Sequence, residues 1–231
     1  MSQNKIPVLI LRPEQGANET ADRAASLGLP SVLDPLFVIV AKRWSPPAPD
    51  NFDGLMLTSA NTLRFGGAGL AQYTGLPVLA VGEATAEAAR RAGFSVAITG
   101  NSNGADLLAA LPFDHYDRIL RLTGKHHVML PETRHEITSV QVYEAQNLPL
   151  GTKAQAALAQ DNITLLHSPR AAHILREEMG RLDISQQYTH LAVLSDAVAA
   201  AAGSGWKSIS VAAKPIDDAL LSIAARLCSH P

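Results

Sequence analysis

The sequence predicts an α/β protein built from two similar small domains, each with a parallel sheet. Three observations predict it. Short apolar runs of strand length alternate with alanine-rich, helix-like segments along the whole chain, which is the pattern of parallel strands covered on both faces. The 231 residues, at ~150 per domain, suffice for one large or two small domains. An internal repeat favours two: Ala80-Val81-Gly82-Glu83-Ala84-Thr85 lies over Ala192-Val193-Leu194-Ser195-Asp196-Ala197. At the same offset Ala88-Ala89 meets Ala200-Ala201 and Gly93-Phe94 meets Gly205-Trp206. Close to that offset, Leu57-Thr58-Ser59 resembles Leu166-His167-Ser168, and Leu107-Leu108 resembles Leu220-Leu221. The preserved order makes duplication the better reading, with two domains facing each other across a cleft.

The elements follow in order. Pro7 to Leu11 reads as a buried strand and Asn18 to Leu27 as a helix stopped by Gly28. Phe37 to Val40 is a strand, and the Pro-rich Ser45 to Pro49 is a surface connection. Asp53 to Thr58 and Pro77 to Val81 are strands, and Glu83 to Ala92 is an alanine-rich helix stopped by Gly93. Ser95 to Thr99 is a strand, followed by a helix from about Ala105 to Leu111. Arg118 to Leu122 and Ser139 to Tyr143 read as strands, with Tyr143 at the end of the second. The last third repeats the scheme: strands at Ile163–His167, Leu191–Leu194 and Ser208–Ala213, helices at Ala171–Arg181, Ala197–Ala202 and Asp217–Leu227.

Composition removes several classes of function. Hydrophobic residues are 47% of the chain and charged residues 17%, so a disordered chain is excluded. A formal net charge of -2 argues against a nucleic-acid-coating surface, which needs clustered positive charge. It leaves an anionic small molecule open, because helix N-termini bind anions without net charge. Cys228 is the single cysteine, so neither an intramolecular disulfide nor a cysteine-based metal site can form. The apolar run Ile6 to Leu11 is too short for a signal peptide, and no apolar stretch approaches the ~18 residues of a membrane span. The expected setting is the cytoplasm.

Four strand-to-helix corners carry small polar residues: Thr58-Ser59-Ala60-Asn61, Gly82-Glu83-Ala84-Thr85, His167-Ser168-Pro169-Arg170 and Leu194-Ser195-Asp196. Ligands of parallel sheets bind outside the carboxyl ends of the strands, where the N–H groups of the following helix face outward. The plain structural reading of each serine is a helix N-cap. Four such corners in two repeats point instead to an anion-binding cleft. Gly100-Asn101-Ser102-Asn103-Gly104 matches the G-x-S-x-G nucleophile elbow and offers a rival hydrolase reading through Ser102. Each half of the chain is too small for that enzyme's sheet, and the paired asparagines suit a solvated loop. Gly66-Gly67-Ala68-Gly69 and Gly124-Lys125-His126 lack the spacing of phosphate-binding loops. His126, His127 and His135 do not form H-E-x-x-H, read as solvated, and lead to no metal site. Tyr143 is either an aromatic packed at a strand edge or a phenol able to donate one hydrogen bond into the cleft; the strand pattern alone does not choose.

Together these segments resemble the uroporphyrinogen-III synthase family over nearly the whole chain. Leu9-Ile10-Leu11-Arg12-Pro13 resembles its opening strand and Arg-Pro turn, and Asp53 to Asn61 its D-x-hydrophobic-T-S-x-N segment. Pro77 to Ala86 with Ala92-Gly93-Phe94 is similar to its V-G-x-x-T-A … G-F signature. Val140-Gln141-Val142-Tyr143-Glu144 resembles its linker strand ending in a tyrosine, and Leu165 to Ala172 its F-x-S-P corner. The resemblance implies a discontinuous domain (residues 1–35 with 148–231), an inserted domain (42–139), and two linker strands (36–41 and 140–147). It implies cyclisation of the linear tetrapyrrole hydroxymethylbilane to uroporphyrinogen III, with loss of water, inversion of the last pyrrole ring, and no cofactor. Loss of the terminal hydroxyl gives an azafulvene, and a spiro intermediate then turns the ring over. The main catalytic task is control of geometry. Tyr143 would donate the proton to the departing hydroxyl. Arg12, Ser59, Asn61, Gly82, Thr85, Ser168, Arg170 and Ser195 would hold substrate carboxylates, with Lys214 assisting. The second repeat departs from the family where Leu194-Ser195-Asp196 stands in place of the commoner Gly and Thr. The rival reading of the same cleft is a non-catalytic module that captures a small anion. Size favours a monomer with no nucleic-acid or membrane partner, in at most transient contact with neighbouring pathway enzymes.

Overall fold

The computed structural model describes residues 6–101, 103–112 and 114–229. The chain divides into two units. Unit 1 holds the residues up to Val38 and those from Gln146 onward; unit 2 is Ile39–Ala145. Unit 1 begins with β1 (Val8–Ile10), α1 (Glu14–Ser26) and β2 (Ser31–Leu33). β3 (Phe37–Ala41) leads into β4 (Gly54–Leu57), α2 (Asn61–Phe65), β5 (Val78–Ala80), α3 (Glu83–Arg91), β6 (Val96–Thr99), α4 (Gly104–Ala110) and β7 (Arg118–Gly124). β8 (Glu136–Asn147) leads back. Unit 1 then finishes with α5 (Thr152–Leu158), β9 (Asn162–Leu166), α6 (Pro169–Arg181), β10 (Thr189–Val193), α7 (Asp196–Ala202), β11 (Ser208–Val211) and α8 (Asp217–Ser229).

Each unit has its own sheet. In unit 1 the order is β11-β10-β9-β1-β2, with every pairing parallel. In the second sheet it is β3-β8-β7-β4-β5-β6, parallel from β8 to β6. β3 is the exception: Leu148 N–H donates to Leu36 C=O and Lys42 N–H to Val142 C=O, so β3 and β8 run in opposite directions. With β3 set aside, the two sheets have matching orders, β9, β10, β11, β1 and β2 standing where unit 2 has β4, β5, β6, β7 and β8. This equivalence pairs the corner after β5 with the corner after β10, which is the pairing the sequence repeat makes.

The period-two alternation of strands sorts their side chains to two faces. In unit 2, Met56, Leu79 and Ile119 pack with Leu107, Leu108 and Leu111 at α4. On the other face Leu55, Leu57, Val78, Ala80, Leu120 and Leu122 pack with Ala86 and Ala89 of α3. In unit 1, Val8, Ile10, Ile163 and Leu165 pack with Ala17 and Ala24 of α1 and with Leu220, Leu221, Ile223 and Ala224 of α8. The charges of α3 follow its dipole, Glu83 in the first turn and Arg90 and Arg91 in the last. α6 starts on Ser168, whose side chain accepts from Ala171 N–H, with Pro169 in the first turn, where a missing N–H costs nothing.

Two local readings from sequence are corrected. β8 continues through Tyr143 to Asn147, so Tyr143 lies inside the strand, not at its end. His135 is not solvated: it is 6% exposed, with Nδ1 2.6 Å from Tyr116 C=O. Parallel strands usually reconnect through a helix. α1 does this between β1 and β2, but the equivalent crossover from β7 to β8, residues 125–135, contains no helix.

Candidate active site

In an open parallel sheet the ligand crevice lies where the strand order reverses, because the two neighbouring crossovers leave in opposite directions. That point is between β4 and β7 in unit 2 and between β1 and β9 in unit 1. In unit 2 it carries a cavity of about 390 Å³. Its walls are Thr58 and Ser59 after β4, Val81 after β5, the start of α4 at Asn103–Ala105, the crossover from His126 to Leu130, and Arg121, Thr123 and Tyr143.

Tyr143 reaches this wall through a local irregularity. Thr123 pairs with Gln141, but the next residue, Gly124, pairs with Tyr143, so Val142 is an extra residue in β8. Such a bulge re-aims the following side chain. The ring then lies against Gly124, where a Cβ would stand 2.5 Å from Tyr143 Cε2. Only glycine allows that approach. Phe65 flanks the ring at 6.4 Å between centroids. The Tyr143 hydroxyl is hydrogen-bonded to none of the described residues.

Two further groups in this wall are not among the sequence candidates. Arg121 is 4% exposed and Thr123 is 1% exposed. They are two apart on β7 and so share the face of Met56 and Ile119. The guanidinium donates from Nη2 to Val128 C=O at 2.8 Å, while Nε has no partner among the described residues. Thr123 Oγ1 is likewise buried without a partner. Burial pushes the Arg121 guanidinium below its ordinary pKa, with Tyr143 acting in the opposite direction. No carboxylate of the described residues pairs with Arg121. A buried cation lacking an anion costs several kcal/mol, and this position is the one where unit 2 would accept an anion.

In unit 1 the equivalent point is already filled by protein groups. Asp217, at the start of α8, accepts from Thr20 Oγ1 at 2.9 Å and from Arg23 Nη2 at 2.5 Å. It also meets His167 Nε2 at 2.7 Å and Arg12 Nη1 at 3.5 Å. Burial alone would raise the pKa of Asp217, but the hydrogen bonds from His167, Arg23 and Thr20 prevail and hold it well below the usual carboxylate range. Arg12 runs over Gly16, where a Cβ would stand 2.3 Å from its Nε. The opposite ring nitrogen of His167, Nδ1, is buried without a partner among the described residues.

The other sequence candidates fall as follows. Ser59 Oγ accepts from Asn61 N–H at 3.2 Å and lines the unit 2 cavity; Asn61 itself begins α2 outside that wall. Gly82 is the extended residue before α3, with open space where a Cβ would be, and Thr85 is 7% exposed in the first turn of α3. Ser168 caps α6, and Arg170 lies 5.6 Å over the ring of Phe37. Ser195 precedes α7 without a side-chain capping bond, beside exposed Asp196. Lys214 is exposed. Ser102 lies outside the described residues; its neighbour Asn103 caps α4 by accepting from Asp106 N–H at 2.9 Å. Among the described residues no group of three His, Cys, Asp or Glu is placed to hold a metal, and no helix is long and apolar enough to cross a membrane.

Comparison with known proteins gives one family. The family described as uroporphyrinogen-III synthase HemD matches residues 18–222. Curated protein sequences give no match. Among solved structures, uroporphyrinogen-III synthetase from Helicobacter pylori 26695 matches with a TM-score of 0.68 at 19% identity, over 96% of this chain and 99% of that one. A mutant uroporphyrinogen III synthase from the extremely thermophilic bacterium Thermus thermophilus matches with a TM-score of 0.57 at 15% identity, over 97% and 100%. At these identities the structural matches speak for the fold, and the family match speaks for the kind of protein.

Proposed function

The chain belongs to the uroporphyrinogen-III synthase family, and from that premise we propose which of its residues carry the reaction. The protein is a cyclising lyase of tetrapyrrole biosynthesis acting on a small molecule. It closes hydroxymethylbilane to uroporphyrinogen III with loss of water and inversion of the last ring. Neither the anion-capture module nor the Ser102 hydrolase is favoured by the family match.

The Tyr143 hydroxyl donates a proton to the departing hydroxyl of the substrate. Water leaves, and the first pyrrole becomes an electrophilic azafulvene. The last pyrrole attacks through its substituted carbon, the bond to its old neighbour breaks, and the ring recloses through its free carbon. The hydrogen on that carbon leaves as a proton, which restores the Tyr143 phenol. Atoms and charge balance, and no electrons enter or leave the system. Selectivity comes from holding the last ring so that the substituted carbon meets the electrophile first. In unit 2 the N–H groups behind Ser59–Asn61 and Gly82–Thr85 hold acetate and propionate carboxylates of the substrate. In unit 1 those behind Ser168–Arg170 and Ser195 do so, with Arg12 and Lys214 adding positive charge. The protein works as a monomer in the cytoplasm and passes its product on through transient contacts at most.

The observation that carries this assignment is the Tyr143 hydroxyl, without a hydrogen bond to any described residue, on the wall of the cavity at the β4/β7 switch point. The test is an isomer assay. Hydroxymethylbilane is generated in place, and the oxidised porphyrins are separated with and without the protein. Mostly isomer III is expected. Isomer I alone, at the spontaneous rate, from folded protein would overturn the assignment.

A further inference from the structure

Resting on that reading, we propose that Arg121 and Thr123 form a dedicated carboxylate subsite in unit 2, fixing one acidic arm of the tetrapyrrole beside Tyr143. Neither residue is among the corner groups. They stand on β7 itself, in the row of Ile119, and the unit 1 counterpart of Arg121 is apolar. The registers make this explicit: Ile10 lies opposite Leu165 and Arg121 opposite Met56, each one residue before the end of the paired strand. Ile10 is fully buried against apolar neighbours. Arg121 stands in its place, and the crossover above it has no helix to cover it.

The chemistry points to an anion with hydrogen-bond acceptors. Arg121 Nε and Thr123 Oγ1 are both donors, both buried without a partner among the described residues, and both on the wall of the 390 Å³ cavity. Residues two apart on a strand are about 7 Å apart, so one carboxylate can take a hydrogen from each side chain. The acceptor Arg121 does have is the neutral Val128 carbonyl. A carboxylate makes a stronger, charge-assisted bond to the same fork. Val128 and Met129 stand in solvent at 83% and 81% exposure, so the crossover can yield its carbonyl to the ligand without unpacking a core. Lys125 is already paired with Glu144 at 3.3 Å, which leaves Arg121 as the cation facing inward.

Arg121→Met, Arg121→Lys and Thr123→Val are compared with the native protein in two arms. One arm measures kcat, KM and isomer ratio with hydroxymethylbilane. The other measures binding of uroporphyrin III, the oxidised product, by titration. Arg121→Met is expected to raise KM and weaken porphyrin binding roughly 10- to 100-fold, with KM affected more than kcat. Arg121→Lys should recover part of the loss. Thr123→Val, which keeps the shape of the core, should weaken binding several-fold and keeps the test open should Arg121→Met fail to fold. Native KM and porphyrin affinity in folded Arg121→Met, or in Thr123→Val where Arg121→Met does not fold, would overturn the subsite while leaving the synthase reading intact. A native protein that makes only isomer I, yet binds uroporphyrin III through Arg121, would overturn the synthase reading and leave the anion subsite standing.

Discussion

The two units share one strand order and fill the point where it reverses in opposite ways. In unit 1 a helix, α1, crosses from β1 to β2 and covers Ile10, and Asp217 from α8 brings Arg12, Arg23, Thr20 and His167 into one network. In unit 2 the crossover has no helix, Arg121 replaces the isoleucine, and the start of α4 offers Asn103–Ala105 where α8 offers Asp217. One switch point carries its own carboxylate; the other has a buried cation and a cavity. A duplicated framework can thus fill one switch point with its own ion pairs and leave the equivalent one open. The difference lies in a few side chains and one crossover.

Substitutions at four residues break or sharpen this contrast, from the largest expected effect to the smallest. Asp217→Ala strips the carboxylate from unit 1 and leaves Arg12 and His167 facing each other; urea unfolding is expected to show a loss of about 3–5 kcal/mol. The same residue gives a pH signature. Its folded pKa lies below its unfolded value, so its contribution is complete above about pH 4 and fades as the pH falls further. Stability of Asp217→Asn should therefore decline less steeply below about pH 4 than that of the native protein, and equal slopes would show that the network is not what holds Asp217 ionised. Tyr143→Phe tests the other unit: turnover should drop about 100-fold with an unchanged unfolding curve. Gly104→Asp gives unit 2 a carboxylate at the position Asp217 holds in unit 1. A Cβ there meets only the flexible ends of Leu130 and Met56, at 2.9 and 3.0 Å. KM should rise about 10-fold or more by repulsion of the substrate's own carboxylates, and an unchanged KM would mean that the substrate does not enter this cavity. Ser168→Ala should cost about 1 kcal/mol of stability from the lost cap and raise KM as the α6 corner loosens; an unchanged KM would remove that corner from substrate binding.

The fold was legible because strands and helices of this kind announce themselves locally. The runs Leu55–Leu57 and Val78–Ala80 are apolar on both faces, as parallel strands must be, and the repeat fell on corners that the two sheets place alike. Tyr143 was legible only through resemblance, since the bulge at Val142 that aims it has no sequence signature. In the sequence Asp217 is only the first residue of a helix; its bond to Thr20 spans 197 residues of chain, a distance no local pattern reports. Arg121 did leave a trace. It interrupts the run Ile119 to Leu122, which is buried on both faces, and a charge in such a strand needs an anion or a cavity. The sequence reading places it in the strand Arg118 to Leu122 and gives it no role. The missing helix after β7 also leaves only a negative signal, the absence of periodicity between Lys125 and His135.

The most direct measurement observes Arg121 itself. In ¹⁵N-labelled protein the Nε–H correlation of Arg121, assigned by its loss in Arg121→Lys, is followed while product is added. A carboxylate taking up this hydrogen should move the proton resonance downfield and protect it from exchange with water, saturating with the same affinity as binding measured by titration. A resonance that stays in place while product binds elsewhere would contradict the central claim that the unit 2 switch point receives the anion that unit 1 carries within its own chain.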